Sequence, residues 1–495
     1  MLPELRTAVP GPRSLALAAR LRRTESRHVT MVGEQWPVFW ERAAGVNVWD
    51  ADGNRFLDFT SGFGVAGLGH SSAPVREALT GQAGRLLHAM GDVHPAEAKV
   101  ELCEALAELT FGRWGAGRGK VILGNSGSDA IEAALKTAML HSGKPGVLVF
   151  EGAYHGLGYG ALEVSALEFF RAPFAAQLGR FAVSVPYPYC YRCPLGHGGA
   201  CARDGGEFPD CSSGCLEELH RRIRDVLRRR EIGAILVEPV QGRGGDIVPP
   251  RDFLRLLRRL CDEEKILLVA DEIYTGFNRT GLLFACDHSG VVPDLICLGK
   301  ALTSGFPLSA CVGRAGVMDA WPESSGEALH TSTFLGNPLG CAMALASLRE
   351  HAKPETAGKV RAAGRHLRAA LGQISSPRLG QVRGVGLLIG AEVVAGDGSP
   401  DPATAARCVT AALHEGLLLL SGGRHGNVLS LAPPFDLAPE ESAFLAGKLA
   451  GIFGEIPRAS GDPVAAALDG AGAVRGGGDP AAGVRPSIPR RWRRR

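Results

Sequence analysis

The chain has 495 residues, 45% of them hydrophobic and 21% charged, so it can bury a sizeable core and is neither a low-complexity nor a collagen-like chain. Its formal charge is only +3 and five arginines lie in the terminal run RRWRRR, which leaves the rest near neutral and gives no global argument for nucleic acid. No window approaches the roughly 18 consecutive apolar residues of a membrane-spanning helix, and the N-terminal segment holds no clean apolar stretch with a cleavage site, so a cytoplasmic protein is expected.

Residues 1–34 form an N-terminal arm that reads as helical over 1–30. Residues 35–60 alternate apolar with polar and carry a DGN turn, which predicts a hairpin or meander. The stretch 35–74 is expected to form the N-terminal part of a small domain. From about 75 to 345 the pattern changes to apolar strands alternating with helices: VILGN (121–125), a helix over 128–141, VLVF (147–150), AILVEPV (234–240), a basic amphipathic helix near 251–264, ILLVADEI (266–273), DLICLGK (294–300) and SACVGR (309–314). That alternation predicts an α/β domain around a mostly parallel, buried sheet. A helix over 337–351 leads out of it, and residues 346–457 complete a smaller α+β domain. Residues 458–495, rich in Gly, Pro, Ala and Arg, read as a disordered basic tail.

Three stretches carry chemistry. In NSGSDAIEAALKTA (125–138) a strand ends and a helix begins near Ser128. Backbone N–H groups at a helix N-terminus form an anion site, and Gly127 allows close approach; the ordinary alternative is a plain N-cap by Ser128 or Asp129. In ILLVADEIYTGFNRTG (266–281) Asp271 and Glu272 end an apolar strand, where ligands bind in doubly wound folds; an acidic cap is the alternative. Lys300 ends the apolar run DLICLGK, 29 residues after Asp271. A desolvated lysine has a lowered pKa and becomes a nucleophile, whereas a single lysine in isolation more often snorkels. A phosphate cradle, a buried carboxylate and a buried lysine at strand ends together meet the requirements of pyridoxal phosphate: the helix takes the phosphate, the carboxylate pairs with the pyridine nitrogen, and the lysine forms the Schiff base and moves the α-proton.

In this order the motifs resemble those of class III pyridoxal-phosphate aminotransferases of fold type I, over roughly residues 35–455, and particularly the 4-aminobutyrate and ω-aminotransferase branch. The resemblance implies that Gly127 and Ser128 in NSGSDA bind phosphate and that Tyr154 in EGAYHG (151–156) stacks on the ring. It puts Asp271 at the pyridine nitrogen, Ile273 on the opposite ring face and Lys300 at the Schiff base. EPVQG (238–242) is similar to another family signature. Thr333 in TSTFLGNPLGCAMALA would reach the phosphate bound by a partner subunit, which implies a homodimer or larger homo-oligomer with shared sites. The implied reaction is a ping-pong transfer from an ω-amino acid or primary amine to a 2-oxo acid such as 2-oxoglutarate or pyruvate. Relatives that racemise amino acids or shift an amino group within one molecule share these motifs, so that alternative stays open. A second rival is a non-catalytic protein whose cysteine loop and basic tail bind nucleic acid; an intact lysine, aspartate and phosphate loop argue against it.

The departures bear on substrate. Where the 4-aminobutyrate branch carries a carboxylate-gripping arginine, NVLSLAPP (427–434) has Ser430. Leu157 stands where an arginine is common, and Arg243 follows EPVQG where the branch has a glutamate. Arginine is the usual bidentate partner of a carboxylate, so Arg243 is a candidate substitute; its alternative is a solvent-facing cation. Tyr274 replaces a common glutamine, and Phe63 in SGFGVAGLGH resembles a substrate-lining position that would favour an apolar or extended substrate. His155 reads as a positioning residue.

Residues 186–217 form a cysteine-rich insert. Cys190 and Cys193 make a CxxC, Cys211 and Cys215 a CxxxC, with His197 and Cys201 between. The spacing suits a structural zinc site; free thiols or disulfides are the competing readings. The other cysteines, such as Cys261, Cys297, Cys311 and Cys341, lie singly among apolar residues and read as small buried hydrophobes.

Overall fold

The computed structural model describes residues 1–33, 35–196, 207–210 and 214–455. The terminal stretch expected to be a disordered tail lies outside them, as do His197, Cys201 and Cys211.

The N-terminal arm is helical only over Pro12–Thr24, which starts at a proline suited to a first helical turn. Ahead of it Glu4 bridges to Arg55. The expected meander follows as β1 (Trp40–Ala44), β2 (Asn47–Asp50) and β3 (Arg55–Asp58), all antiparallel, with the DGN turn between the last two. Helices Ala73–Ala83 and Glu97–Ala107 lead to β4 (Gly119–Gly124), helix Gly127–Ser142, β5 (Gly146–Phe150) and β6 (Ala182–Val185). After helix Cys215–Arg229 come β7 (Ile232–Val237), helix Phe253–Glu264, β8 (Leu267–Asp271), β9 (Leu295–Leu298) and β10 (Ser309–Arg314). Helices Pro338–His351 and Pro354–Gly372 precede β11 (Leu379–Val385) and β12 (Leu388–Val393). Helix Pro402–His414, β13 (Leu417–Leu418), β14 (Leu420–Gly422), β15 (Val428–Leu431) and helix Pro439–Glu455 complete the described chain.

Seven strands form the central sheet in the order β4-β10-β9-β8-β7-β5-β6. All neighbours are parallel except β10, which runs antiparallel to both β4 and β9. The sheet is therefore mostly parallel, as the apolar runs predict, with one reversed strand. Strands β7 and β9 are buried at every position, which is why they read as unbroken apolar runs rather than alternating ones. β7 stops at Val237, two residues before Pro239, which cannot donate to the ladder. Successive side chains point to opposite faces. Leu148, Ile235, Leu268 and Ile296 pack with Phe253, Leu257 and Leu260 on one side. Val147, Ala234, Val269 and Leu295 pack with Ala130, Ile131, Ala134 and Ala138 on the other.

A second, smaller region unites the two ends of the chain. β13 pairs in parallel with β3, matching Leu417 to Leu57. Val46, Leu57 and Phe59 share an apolar cluster with Val360, Leu367, Ile389, Leu431, Leu445 and Leu449. Since all strands of the central sheet but β10 point the same way, the segments after β4, β5, β7, β8 and β9 emerge at one edge, and that edge carries the motifs.

The zinc expectation is corrected. Cys215 opens its helix and is disulfide-bonded, so its sulfur has no thiolate to offer a metal. Cys190 is buried in a short turn and Cys193 is half-buried, while Cys211 lies outside the described residues. Among the described residues no group of three or more His, Cys, Asp or Glu side chains is placed to hold a metal. Among the same residues, no helix is long and apolar enough to cross a membrane.

Candidate active site

The site starts from the turn after β4. Ser126, extended, caps helix Gly127–Ser142 in a capping box with Asp129. This consumes the Asp129 amide, 3.2 Å from the Ser126 hydroxyl, but among the described residues nothing accepts from the amides of Gly127 and Ser128. A sixteen-residue helix thus presents two open N–H groups at its positive end. The cap is Ser126, not the expected Ser128 or Asp129. Ser128 instead accepts from the Leu157 amide at 3.2 Å, which fastens the EGAYHG segment to the turn.

Asp271 ends β8 and is buried. Its Oδ2 lies 2.7 Å from His155 Nδ1, and its Oδ1 accepts from the Ile273 amide at 3.0 Å. Glu272, adjacent in sequence, is turned away: it accepts from the Thr275 hydroxyl and from the amides of Ala285 at 3.0 Å and Cys286 at 2.8 Å. The strand-end pair thus divides into one carboxylate consumed by the protein's own donors and one facing the site. Burial opposes charge on His155, but the hydrogen bond and negative charge of Asp271 outweigh it and raise its pKa. His155 Nε2 is buried with no hydrogen-bond partner among the described residues.

Lys300 follows Gly299 at the end of β9, in left-handed backbone (φ +41°). A non-glycine residue there is strained, and such strain collects at functional sites. Burial lowers its pKa; the negative charges of Asp271 and Glu238 oppose that shift and Arg279 adds to it. A lysine held below its ordinary value has more free amine to act as a base or nucleophile. Ile273 packs between the two motifs: a Cβ on Gly127 would lie 3.1 Å from it, and one on Gly299 3.2 Å. The two glycines therefore let the phosphate-type turn and the lysine strand close on the same isoleucine.

Tyr154 packs edge-on against Phe170, with ring centroids 5.4 Å apart, and its amide donates to Glu238 Oε2 at 3.2 Å. Glu238 had no role in the sequence reading beyond its motif. It is buried, and its Oε1 accepts from the Gly242 amide at 3.3 Å. Burial pushes its carboxyl up to about 7, against the pull of His155 and with the repulsion of Asp271. The folded chain holds that proton to about 7 whereas an ordinary glutamate releases it near 4.5. This contribution to stability is therefore present below about 4.5 and lost as pH rises to about 7. Glu238→Gln is expected to flatten the fall in melting temperature across that window. Thermal denaturation at stepped pH checks it, and an unchanged slope would refute it. Glu272, also pushed up to about 7 by burial, supplies slope that the variant should retain.

The substrate-side residues are more open. Arg243 is exposed, with its guanidinium carbon 5.8 Å from the Phe170 centroid and no acidic partner among the described residues. Phe63 is exposed and in left-handed backbone. Thr333 is exposed in a segment pinned by Asn125 to Ser332 (3.1 Å) and Thr331 to Asp92 (2.6 Å). The sequence reading also missed Asp246, which is buried facing Ser430 and Arg383, and Arg279, whose guanidinium donates to the carbonyls of Leu387 and Pro433. The only signal for Asp246 was an acid inside the glycine-rich QGRGGD turn.

The family model "Aminotransferase class-III" matches residues 29–453. The chain is a class III aminotransferase. It is 36% identical over 446 residues to the 4-aminobutyrate aminotransferase of Mycobacterium leprae, covering 88% of this chain and 95% of that one. It is 32% identical over 408 residues to a leucine/methionine racemase of Thermococcus litoralis, covering 82% and 88%. An amine transaminase structure from an uncultivated Pseudomonas species, in its PLP-bound form, superposes with a TM-score of 0.77 at 29% identity, covering 87% of this chain and 98% of that one. The enzyme is a pyridoxal-phosphate-dependent aminotransferase. The residues present fit that cofactor: two open amides at a helix N-terminus for a phosphate, a buried carboxylate for a ring nitrogen, and a lysine with a lowered pKa for an aldehyde.

Proposed function

We propose that the aminotransferase moves an amino group from an ω-amino acid or primary amine to a 2-oxo acid such as 2-oxoglutarate or pyruvate, in ping-pong fashion. The observation that carries the reading is that Asp271 and Lys300 end adjacent parallel strands, β8 and β9, beside the open amides of Gly127 and Ser128. The amides would take the phosphate. Asp271, oriented by His155, would hold the pyridine nitrogen; Tyr154 and Ile273 would flank the ring. Bound there, pyridoxal phosphate supplies an electron sink for the pair left when a Cα–H bond breaks. Lys300 would hold the cofactor at rest, then take the proton from Cα at its amine and return it across the amino nitrogen, at the carbon that carried the aldehyde. Arg243, exposed and unpaired among the described residues, would receive a substrate carboxylate in place of the arginine that Ser430 replaces. Phe63 would line the substrate entrance.

A homodimer is part of the proposal. Leu86, Leu87, Met90, Val93 and Phe334 are all exposed around the segment that bears Thr333, a concentration of apolar surface that suits a subunit interface. Thr333 would then serve the partner's phosphate. We assign the enzyme to the cytoplasm, on buried unbridged cysteines such as Cys261, Cys297, Cys311 and Cys341, set against the bridge at Cys215.

The racemase reading keeps one specific support: the 32% identical relative. One experiment separates the two. Mixing the purified holoenzyme with single amines, without oxo acid, should bleach the cofactor's long-wavelength absorption with the right donor and release one oxo product per site. Loss of optical rotation from an amino acid, with the absorption unchanged, would establish the racemase instead.

A further inference from the structure

Tyr274 stands three residues beyond Asp271, and the chain makes unusual room for it. A Cβ on Gly64 would lie 2.3 Å from its Cε2, and one on Gly242 would lie 2.2 Å from its Cδ1. Both are far inside van der Waals contact, so only glycines admit the ring there. The slot fixes the plane of the aromatic. Over its face, 4.3 Å from the centroid, sits the Lys300 amine. The hydroxyl end points to Ser430 and lies near Asp246, with Arg243 and Arg279 also in its field. Asp246 is buried and also faces Ser430, and Ser430 is the residue that stands where relatives were expected to carry an arginine. A tyrosine needs its hydroxyl satisfied when buried, and a serine leaves space for that where an arginine would not.

We propose that the face of the Tyr274 ring is the seat of the Lys300 amine during proton transfer, making Tyr274 a positioning residue for the base. This rests on the aminotransferase reading of Lys300. In the step concerned, the Cα–H bond breaks, an N–H bond forms on Lys300, and the electron pair stays with the substrate's conjugated system. The lysine thereby becomes a cation. An aromatic face within about 6 Å stabilises an ammonium, most strongly away from water. The groups facing the amine are Asp271 and Glu238, which favour its charge, and Arg279, which opposes it. Tyr274 adds a neutral surface that favours the cation without forming an ion pair that would trap it.

Two variants test this. Tyr274→Phe keeps the ring and removes the hydroxyl; Tyr274→Leu removes the ring. In Tyr274→Leu, kcat is expected to fall roughly tenfold with a smaller change in KM, and the Cα-deuterium isotope effect on kcat should rise. The pH limb belonging to the free Lys300 amine, read both from kcat and from the pH dependence of its acylation in the cofactor-free enzyme, should move down by about one unit, because the charged form has lost a stabilising face. Tyr274→Phe should keep the wild-type limb and isotope effect. The proposal is overturned if Tyr274→Leu, with cofactor and melting temperature retained, leaves both where they were. It is equally overturned if Tyr274→Phe is as impaired as Tyr274→Leu, since the hydroxyl would then carry the effect. If Tyr274→Leu loses its fold, Tyr274→Met, unbranched and of similar reach, takes its place with the same criteria. Failure of the parent reading looks different: wild-type enzyme would then exchange no α-proton with solvent for any amine tested.

Discussion

Replacing Lys300 by alanine should lower transamination by about ten-thousand-fold or more, through loss of both the nucleophile and the proton carrier. The side chain makes no hydrogen bond or ion pair with the described residues; its amine sits over the Tyr274 face. Its removal should therefore leave the melting temperature close to that of the parent, since alanine at φ +41° carries the same backbone strain as lysine. The amides of Gly127 and Ser128 and the carboxylate of Asp271 remain, so the variant should still bind pyridoxal phosphate, but release it on gel filtration. Lys300→Arg should be equally inactive, because a guanidinium does not give up its proton in the working range. Initial rates with an amine and pyruvate check the claim. Activity within a hundredfold of the parent would remove Lys300 from the centre of the mechanism.

Much of this site was legible because polar residues interrupt apolar runs. ILLVAD and DLICLGK place an acid and a lysine at the ends of strands buried on both faces, and that pattern needs no neighbour to be read. What was not legible depends on residues distant in the chain. His155 meets Asp271 across 116 positions, and Tyr154 meets Glu238 across 84. Glu238 sits in an ordinary-looking motif, and its protonation follows from enclosure that the sequence does not display. The reversal of β10 is likewise invisible locally, since SACVGR reads the same in either direction of travel. β6 was missed because Ala182–Val185 is a short edge strand with only one buried position. In the cysteine insert, zinc and a disulfide both demand sulfurs brought close together, so spacing alone could not choose between them; the bonded Cys215 does. The helical arm was overextended because Pro3, Pro10 and Gly11 ahead of Pro12 were not weighed as helix breakers; there Glu4 bridges to Arg55 instead.

Asp271→Asn should lower kcat by roughly a hundred- to a thousandfold while changing KM far less. The amide can keep the hydrogen bond from the Ile273 N–H at one end. At the other it either turns an N–H₂ group toward the site, where the ring nitrogen must itself donate, or meets His155 with altered polarity across the present 2.7 Å contact. In both orientations the negative charge is gone. That charge is what favours a proton on the pyridine nitrogen, and a protonated ring is the stronger electron sink. His155 supplies an independent readout: the carboxylate's hydrogen bond and charge raise its pKa against its burial, so the substitution should let that pKa fall. Titration of the His155 ring by NMR measures this without turnover. A cofactor analogue with a fixed positive charge at the ring nitrogen should restore part of the rate to Asp271→Asn, because it no longer needs the carboxylate to hold a proton there. If the analogue restores nothing while His155 shifts as expected, Asp271 acts by positioning rather than by charge. If neither changes, its place beneath the cofactor is wrong.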